Sequence, residues 1–121
     1  MTKTLKKSRH NAATRQDFRC YYCGLPMWEK DPHSFAEQYN LTSKQAQLLL
    51  CTAEHLRARS DGGSDGDENI AAACQFCNKH RHIGKSPKPP EQFRVYVHAR
   101  MQKGAWLVPL LPMTLIGSSR K

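Results

Sequence analysis

Four of the five cysteines in this chain stand in two pairs of identical spacing, Cys20-x-x-Cys23 and Cys74-x-x-Cys77. Four thiolates arranged in such pairs close a tetrahedral shell around Zn²⁺ and leave no open position for a substrate. We therefore predict a structural zinc site formed by these four residues, with a long insertion inside the loop that the metal closes. Free buried thiols or disulfides are the alternative interpretation. Cys51 lies outside the pattern and is expected to be a small buried apolar residue.

A second group of polar residues lies between the two pairs and just after them. Glu54 and His55 follow an apolar run and precede a double-glycine turn, and Asn69 stands at the end of the loop that begins there. Asn78 follows the second cysteine pair directly. If that segment is helical, Asn78 and His82 share one helix face, because residues four apart lie one above the other. The order strand, loop, strand, helix then brings an imidazole together with oxygen and nitrogen donors.

The pattern that carries these residues resembles a known family. The stretch EHLRARSDGGSDGDENIAAACQFCNKHRH, framed by the earlier CYYC, resembles the zinc-containing HNH endonucleases of the ββα-metal class. The resemblance covers residues 20–85 and rests on motifs that occur in the family's order. It implies a small α+β fold, in which a zinc-stapled ββα-metal core carries additional helices. It also implies metal-dependent hydrolysis of DNA phosphodiester bonds.

The resemblance implies a role for each polar residue of the pattern. His55 is the expected general base, and its near-neutral intrinsic pKa suits the removal of a proton from water. Asn69 is expected to tie the loop together and help hold that base. Glu54, Asn78 and His82 are the expected ligands of a catalytic divalent cation, Mg²⁺ or another such as Mn²⁺. Glu54 stands where the family usually has Asp, or sometimes His.

These residues require a particular order of secondary structure. We predict strands over residues 50–58 and 70–73 and a helix over residues 75–83, which form the ββα core of about residues 50–84. Adjacent strand residues point to opposite faces, so Glu54 and His55 serve one site only if the first strand ends or bulges there.

The remaining sequence is divided around this core. Residues 1–14 are expected to be a flexible basic arm, and residues 15–121 a single HNH nuclease domain. Within it we predict zinc knuckles at residues 20–23 and 74–77, a helical insertion over residues 31–50, and a C-terminal helix and tail over residues 90–121. The insertion covers the core or imitates a helix-turn-helix. A strand over residues 93–97 is the alternative to the final helix.

The charge of the chain favours a polyanionic partner. Lys and Arg number 19 against 10 Asp and Glu, which gives a formal net charge of +9. DNA is the expected partner, and a merely solvated surface is the alternative. The basic residues expected to contact phosphates are Arg57, Arg59, Lys79, Arg81 and Lys85.

No secretory or membrane signal is recognisable in the sequence. The basic N-terminal residues are not followed by an apolar segment, and the most apolar stretch, residues 105–116, is short and contains Pro109 and Pro112. We therefore expect a cytoplasmic protein with no membrane partner, in a compartment where cysteines bind metal rather than form disulfides. The sequence is compatible with a homodimer and with a larger host or phage complex.

Three other functions are alternatives to the nuclease. A zinc-dependent nucleic-acid-binding module without catalysis explains the charge and the cysteines, but not the series of Glu, His and Asn residues. A partner-binding scaffold leaves the same series unexplained. A zinc deaminase carries His-x-Glu and then Pro-Cys-x-x-Cys; here the order is Glu54-His55, and Ala73 precedes Cys74, so that class is excluded.

Overall fold

The computed structural model of the chain describes residues 1–84 and 86–117. Its helices and strands follow in the order α1 Lys3–Arg15, α2 Pro32–Tyr39, α3 Ser43–Leu48, β1 Cys51–His55, β2 Ile70–Cys74, α4 Gln75–Arg81, α5 Pro90–Gln102 and α6 Met113–Ile116. Strands β1 and β2 pair antiparallel, and α4 starts at the residue after β2. The predicted fold class, a small α+β fold with a ββα core and additional helices, is confirmed.

Helix α1 is the largest difference from the sequence-based expectation, because residues 1–14 are not a flexible arm. Thr2 caps the helix by accepting a hydrogen bond from the Leu5 amide at 3.1 Å, and the helix packs against both strands. Its buried residues are Leu5, Ser8, Ala12 and Ala13. Two of the four are alanines, so the buried face of α1 is only weakly apolar in sequence and the surrounding lysines obscure it. The small size of the alanines lets the helix lie close to the sheet.

Gln16, the residue after α1, completes one edge of the sheet with its side chain. Its Nε2 donates to the Ala72 carbonyl at 2.8 Å, and its Oε1 accepts from the Ala72 amide at 3.1 Å. The side-chain amide thus pairs with β2 as a neighbouring strand would, which protects an otherwise open edge.

The helical insertion is present and starts and ends at local capping signals. Asp31 accepts a hydrogen bond from the Ser34 amide at 3.0 Å at the start of α2, and Asn40 ends that helix in the left-handed conformation, with φ of 55°. A capping box between Thr42 and Gln45 begins α3. Phe35 of α2 and Ala46 of α3 are buried in the core, so the insertion covers the core.

The insertion leaves and rejoins the core at one point. Trp28 and Leu50 form an isolated parallel bridge, and the Cys51 amide donates to the Trp28 carbonyl at 2.8 Å. Residues 29–49 therefore form an excursion whose two ends are hydrogen-bonded to each other.

The β1–β2 hairpin fixes the relative position of the cysteines and the polar residues. Its register pairs Cys51 with Cys74 and His55 with Ile70. Strand β1 ends at His55, earlier than the expected residue 58. The reason is Asn69, whose backbone carbonyl accepts from the Leu56 amide at 2.9 Å while its side-chain oxygen accepts from the next amide at 2.8 Å.

The C-terminal segment closes the core from the other side. Phe93 and Val97 lie four residues apart on α5 and are both buried, so the helix prevails over the alternative strand. Leu107 and Leu115 are fully buried beyond it. Residues 118–121 of the predicted tail lie outside the described residues. None of the helices in the described part of the chain combines the length and apolar character needed to cross a lipid bilayer.

Candidate functional site

The four paired cysteines meet in one buried cluster. Their sulfur atoms all lie within 4.8 Å of one another. Cys20 and Cys23 come from the turn after α1, Cys74 ends β2, and Cys77 lies in the first turn of α4. Backbone amides also point at the sulfurs: the Cys77 amide lies 3.4 Å from Cys74 Sγ, and the Cys74 amide lies 3.3 Å from Cys20 Sγ. The fold thus joins the two sequence motifs at the base of the hairpin.

The spacing of the cluster fits a zinc ion. Cys23 Sγ and Cys74 Sγ are 3.9 Å apart. Two ligands of a tetrahedral Zn²⁺ with Zn–S bonds of about 2.3 Å lie about 3.8 Å apart. A disulfide would require about 2.05 Å, and none of the five cysteines forms one. The cluster is therefore a site that can hold zinc.

The acidity of the thiols leads to the same conclusion. Burial raises the pKa of Cys23 and Cys77 well above the ordinary thiol value, and interaction with Cys20 raises it further. Burial also acts to raise the pKa of Cys20, but hydrogen bonds from the other three thiols outweigh it and lower that pKa. The other three thiols therefore resist ionisation in the buried cluster. A divalent ion held by the four sulfurs would favour their ionisation, because the thiolate is the form that binds metal.

Glu54 lies at the centre of a second polar cluster and is only 2% exposed. Its Oε2 accepts hydrogen bonds from the Tyr22 hydroxyl at 2.9 Å and from Arg81 Nη1 at 3.1 Å. Its Oε1 lies 3.0 Å from His82 Nε2. A buried carboxylate needs such partners, because burying an unpaired charge is costly. Burial, followed by the charge of Glu54, raises the pKa of Tyr22, so the phenol stays protonated and donates.

Two atoms of this cluster have the spacing of metal ligands. Glu54 Oε1 and His82 Nε2 are 3.0 Å apart, which is a hydrogen-bond distance and is also the separation of adjacent ligands of an octahedral cation with bonds of about 2.1 Å. The His82 side chain is 41% exposed, so this pair lies at the boundary between the interior and the solvent. A nitrogen donor beside a carboxylate suits Mn²⁺ and other transition metals as well as Mg²⁺.

Asn78 is held against β1 by its amide nitrogen. Nδ2 donates to Thr52 Oγ1 at 3.0 Å and to the Ala53 carbonyl at 3.2 Å. The Ala53 carbonyl can only accept a hydrogen bond, so the NH₂ group of Asn78, and not its amide oxygen, must face the strand. The amide oxygen is the atom that remains for a cation.

His55 has a carboxylate partner that its sequence neighbourhood does not predict. Its Nε2 lies 2.8 Å from Asp65 Oδ1, and Arg59 Nε lies 3.2 Å from the same oxygen. The hydrogen bond from His55 lowers the pKa of Asp65. Burial opposes this effect, and the charge and hydrogen bond of Arg59 lower the pKa further. Asp65 is thus held as a carboxylate beside the imidazole.

Asn69 ties the loop together through both ends of its side chain. Its Nδ2 donates to the carbonyls of Arg57 and Ser64 at 2.9 Å each, and its Oδ1 accepts from the Arg57 amide at 2.8 Å. Asn69 is buried beneath the loop. It fixes the backbone that follows His55.

An open cleft brings most of these side chains together. Its volume is about 460 Å³, and it is lined by Leu5, Ala53, Glu54, His55, Ala58, Arg59, Ser60, Asn78 and His82. Glu54 and His55 both line it although they are adjacent, because β1 ends at His55 and the chain turns there. The cleft therefore contains one imidazole base candidate and three candidate metal ligands.

The basic residues expected to contact phosphates fall into three groups. Arg57, Arg59 and Lys79 are exposed, and Arg59 lines the cleft. Lys85 lies outside the described residues. The expectation for Arg81 is corrected: it is 7% exposed, and its guanidinium is committed to Glu54 and, through Nε at 3.1 Å, to the Lys88 carbonyl.

Three residues near the cleft were missed from the sequence. Tyr22 lies between Cys20 and Cys23. That position is the one feature of the neighbouring sequence that could indicate a buried hydroxyl. Asp65 shares its loop with other acidic residues and carries no distinguishing neighbour. Ser8 donates its hydroxyl to the Asp65 carbonyl at 2.7 Å, a contact that depends on the packing of α1.

A comparison with known families matches the segment that contains most of the cleft. A family model described as HNH endonuclease matches residues 42–84, the segment that contains α3, the hairpin and α4. The predicted family resemblance is confirmed for this segment. No curated protein matches the chain. No solved structure matches it either.

Proposed function

We propose that the chain is a metal-dependent HNH endonuclease that hydrolyses DNA phosphodiester bonds. The observation that supports this most strongly is the cleft shared by His55, Glu54, Asn78 and His82 within the segment matched by the family. Hydrolysis of a phosphodiester needs a base for water, a cation at the phosphate, and stabilisation of the leaving oxygen. The cleft offers candidates for the first two.

In this proposal each side chain of the cleft has a separate role. His55 takes the proton of the attacking water as the oxygen bonds to phosphorus. Glu54, Asn78 and His82 would hold a divalent cation, which would supply positive charge to neutralise the phosphate and the departing oxygen. The products are a 5′-phosphate and a 3′-hydroxyl, and the 3′-oxygen takes its proton from solvent. The cysteine cluster holds zinc and keeps β2 and α4 in place.

The exposed basic residues support a DNA substrate bound mainly through its backbone. Arg57, Arg59 and Lys79 are available to contact phosphates, in a chain of net charge +9. Such binding is largely independent of base sequence and weakens steeply as salt rises.

The experiment is a cleavage assay on supercoiled plasmid with Mg²⁺ and Mn²⁺ series, run on the parent protein, His55→Ala and His33→Ala. His33 is an exposed histidine of α2 and serves as the matched control. We expect His55→Ala to lower the cleavage rate by about 10²–10⁴-fold, the usual contribution of a general base, with zinc content and thermal melt unchanged. Parent-like cutting by His55→Ala would refute the assignment.

One observation favours a second candidate, a non-catalytic zinc-dependent nucleic-acid-binding module. Arg81 and Tyr22 both donate hydrogen bonds to Oε2 of Glu54. These bonds give the buried carboxylate a structural role that requires no catalytic metal. Gel-shift titration beside the plasmid assay distinguishes the two functions. A shifted but uncut plasmid across the whole metal series supports the binding module.

A further inference from the structure

The loop between the strands presents one carboxylate to the histidine of the cleft. Asp65 Oδ1 lies 2.8 Å from His55 Nε2, with side-chain exposures of 26% and 19%. The contact spans ten residues of chain and is made at the point where β1 has ended. The strand register pairs His55 with Ile70, so the contact between His55 and Asp65 does not follow from the hairpin itself.

Asp65 is itself held on two sides. The hydroxyl of Ser8, a residue of α1 that is 4% exposed, donates to the Asp65 backbone carbonyl at 2.7 Å. Arg59 reaches the carboxylate through Nε and Nη2, each at 3.2 Å. The carboxylate is thus fixed in place by α1 and by the loop rather than free to turn towards solvent.

We propose that Asp65 is a positioning residue that sets the tautomer and orientation of the His55 imidazole. This inference rests on the proposed function, since it gives His55 the role of base. An ionised carboxylate only accepts hydrogen bonds, so the neutral ring carries its hydrogen on Nε2. Nδ1 is then the unprotonated nitrogen, and it is the atom that removes a proton from water.

The same contact stabilises the ring after the proton transfer. When Nδ1 gains the proton of water, the imidazolium carries a positive charge beside the Asp65 carboxylate, and Asp65 stays ionised. The proton later returns to solvent from Nδ1, while the hydrogen on Nε2 never leaves. Arg59 Nε also lies 3.3 Å from His55 Nε2, but its hydrogen is better accepted by the charged oxygen of Asp65.

The first test compares Asp65→Asn with Asp61→Asn in the plasmid assay. Asp61 lies in the same loop, is exposed, and loses the same charge without touching His55. We expect Asp65→Asn to lower kcat by at least about tenfold and by no more than the 10²–10⁴-fold that the general base contributes as a whole, with KM unchanged. Asp61→Asn should cut at the parent rate. Equal kcat for the two variants, in a protein whose parent cuts and whose His55→Ala does not, would overturn this inference and leave the proposed function intact.

The second test does not depend on cleavage. Long-range ¹H–¹⁵N spectra of the zinc-loaded protein, without DNA and under conditions where His55 is neutral, report which ring nitrogen carries the hydrogen. We expect a protected Nε2–H signal in the parent and in Asp61→Asn, and its loss in Asp65→Asn with the backbone spectrum otherwise preserved. A hydrogen on Nδ1 in the parent, or an unchanged ring signal in Asp65→Asn, overturns the proposal even if no plasmid is cut.

Discussion

The phenol of Tyr22 donates a hydrogen bond to Glu54 Oε2 over 2.9 Å, and this contact joins the first cysteine pair to the cleft. Tyr22 is fully buried and lies between two of the cluster's cysteines. The cysteine cluster and the candidate catalytic site are thus separated by a single side chain.

Removing that hydroxyl should destabilise the protein. Tyr22→Phe leaves a buried carboxylate with one donor fewer, and we expect a loss of about 1–3 kcal/mol in the free energy of unfolding. Urea denaturation measures it. Tyr21→Phe is the control, because the Tyr21 hydroxyl bonds to Glu91 at the surface and its loss should change stability little. Equal midpoints for the two variants would argue against the buried bond.

Removing one thiolate of the cluster should abolish zinc binding. Cys74→Ser replaces a ligand that also caps α4, and we expect loss of bound zinc and of a cooperative thermal melt, since the energy of metal binding is folding energy here. Elemental analysis and calorimetry report both.

The control for the zinc prediction is Cys51→Ser. Cys51 is buried outside the cluster, and burial raises its pKa to about 12, so it remains a protonated thiol at neutral pH. Zinc content should stay at the parent level in this variant. If Cys74→Ser kept its zinc and melted like the parent, the cluster would not be a structural metal site.

Substituting Asn78 should change the metal requirement of cleavage. Asn78→Ala removes the amide oxygen left for a cation, and we expect the Mg²⁺ concentration at half-maximal cleavage to rise about tenfold or more, a typical effect of disturbing a metal site. Gln75→Ala is the control on the same helix, because Gln75 bonds to Gln47 instead. Coinciding metal titrations for all three proteins would remove Asn78 from the site.

Charging the buried face of α1 should unfold it from the sheet. Ala13 is 0% exposed, and Ala13→Glu places a larger, charged side chain there, so we expect a loss of about 3 kcal/mol or more. Thr14→Glu, one residue along on the exposed side, should be tolerated. Thermal melts compare the two. If Ala13→Glu melted like the parent protein, α1 would be a loosely attached arm.

Neutralising an exposed lysine of α4 should weaken DNA binding through the phosphates. For Lys79→Gln we expect the slope of log K against log salt to fall by about 1, the contribution of one phosphate contact. Lys44→Gln, an exposed lysine of α3, is the control. Fluorescence anisotropy over a salt series measures both, and identical slopes would place Lys79 outside the interface.

The sequence was sufficient where pattern and spacing are local. The cysteine pairs predicted the cluster, and the alternation of apolar residues with turn signals predicted β1, β2 and α4. Helix α1 was missed because alanines at positions 12 and 13 bury well but carry little apolar signal, while the lysines around them dominate the composition.

The long-range contacts of the cleft could not be predicted in the same way. Arg81 reads as one more surface cation, and only its approach to Glu54, 27 residues away in sequence, explains its burial. Asp65 stands among Asp61, Asp67 and Glu68 with nothing to distinguish it. Which acidic residue meets His55 depends on how α1 and Asn69 shape the loop, and that is a property of packing.

The excursion over residues 29–49 has a consequence for the integrity of the chain. Asn40 lies exposed at its tip in a left-handed turn, while the halves on either side reconverge on the same hydrogen-bonded point and on the same four sulfurs. A backbone severed by protease between α2 and α3 should therefore yield two fragments that still migrate as one particle. Stripping the zinc with a chelator should release them.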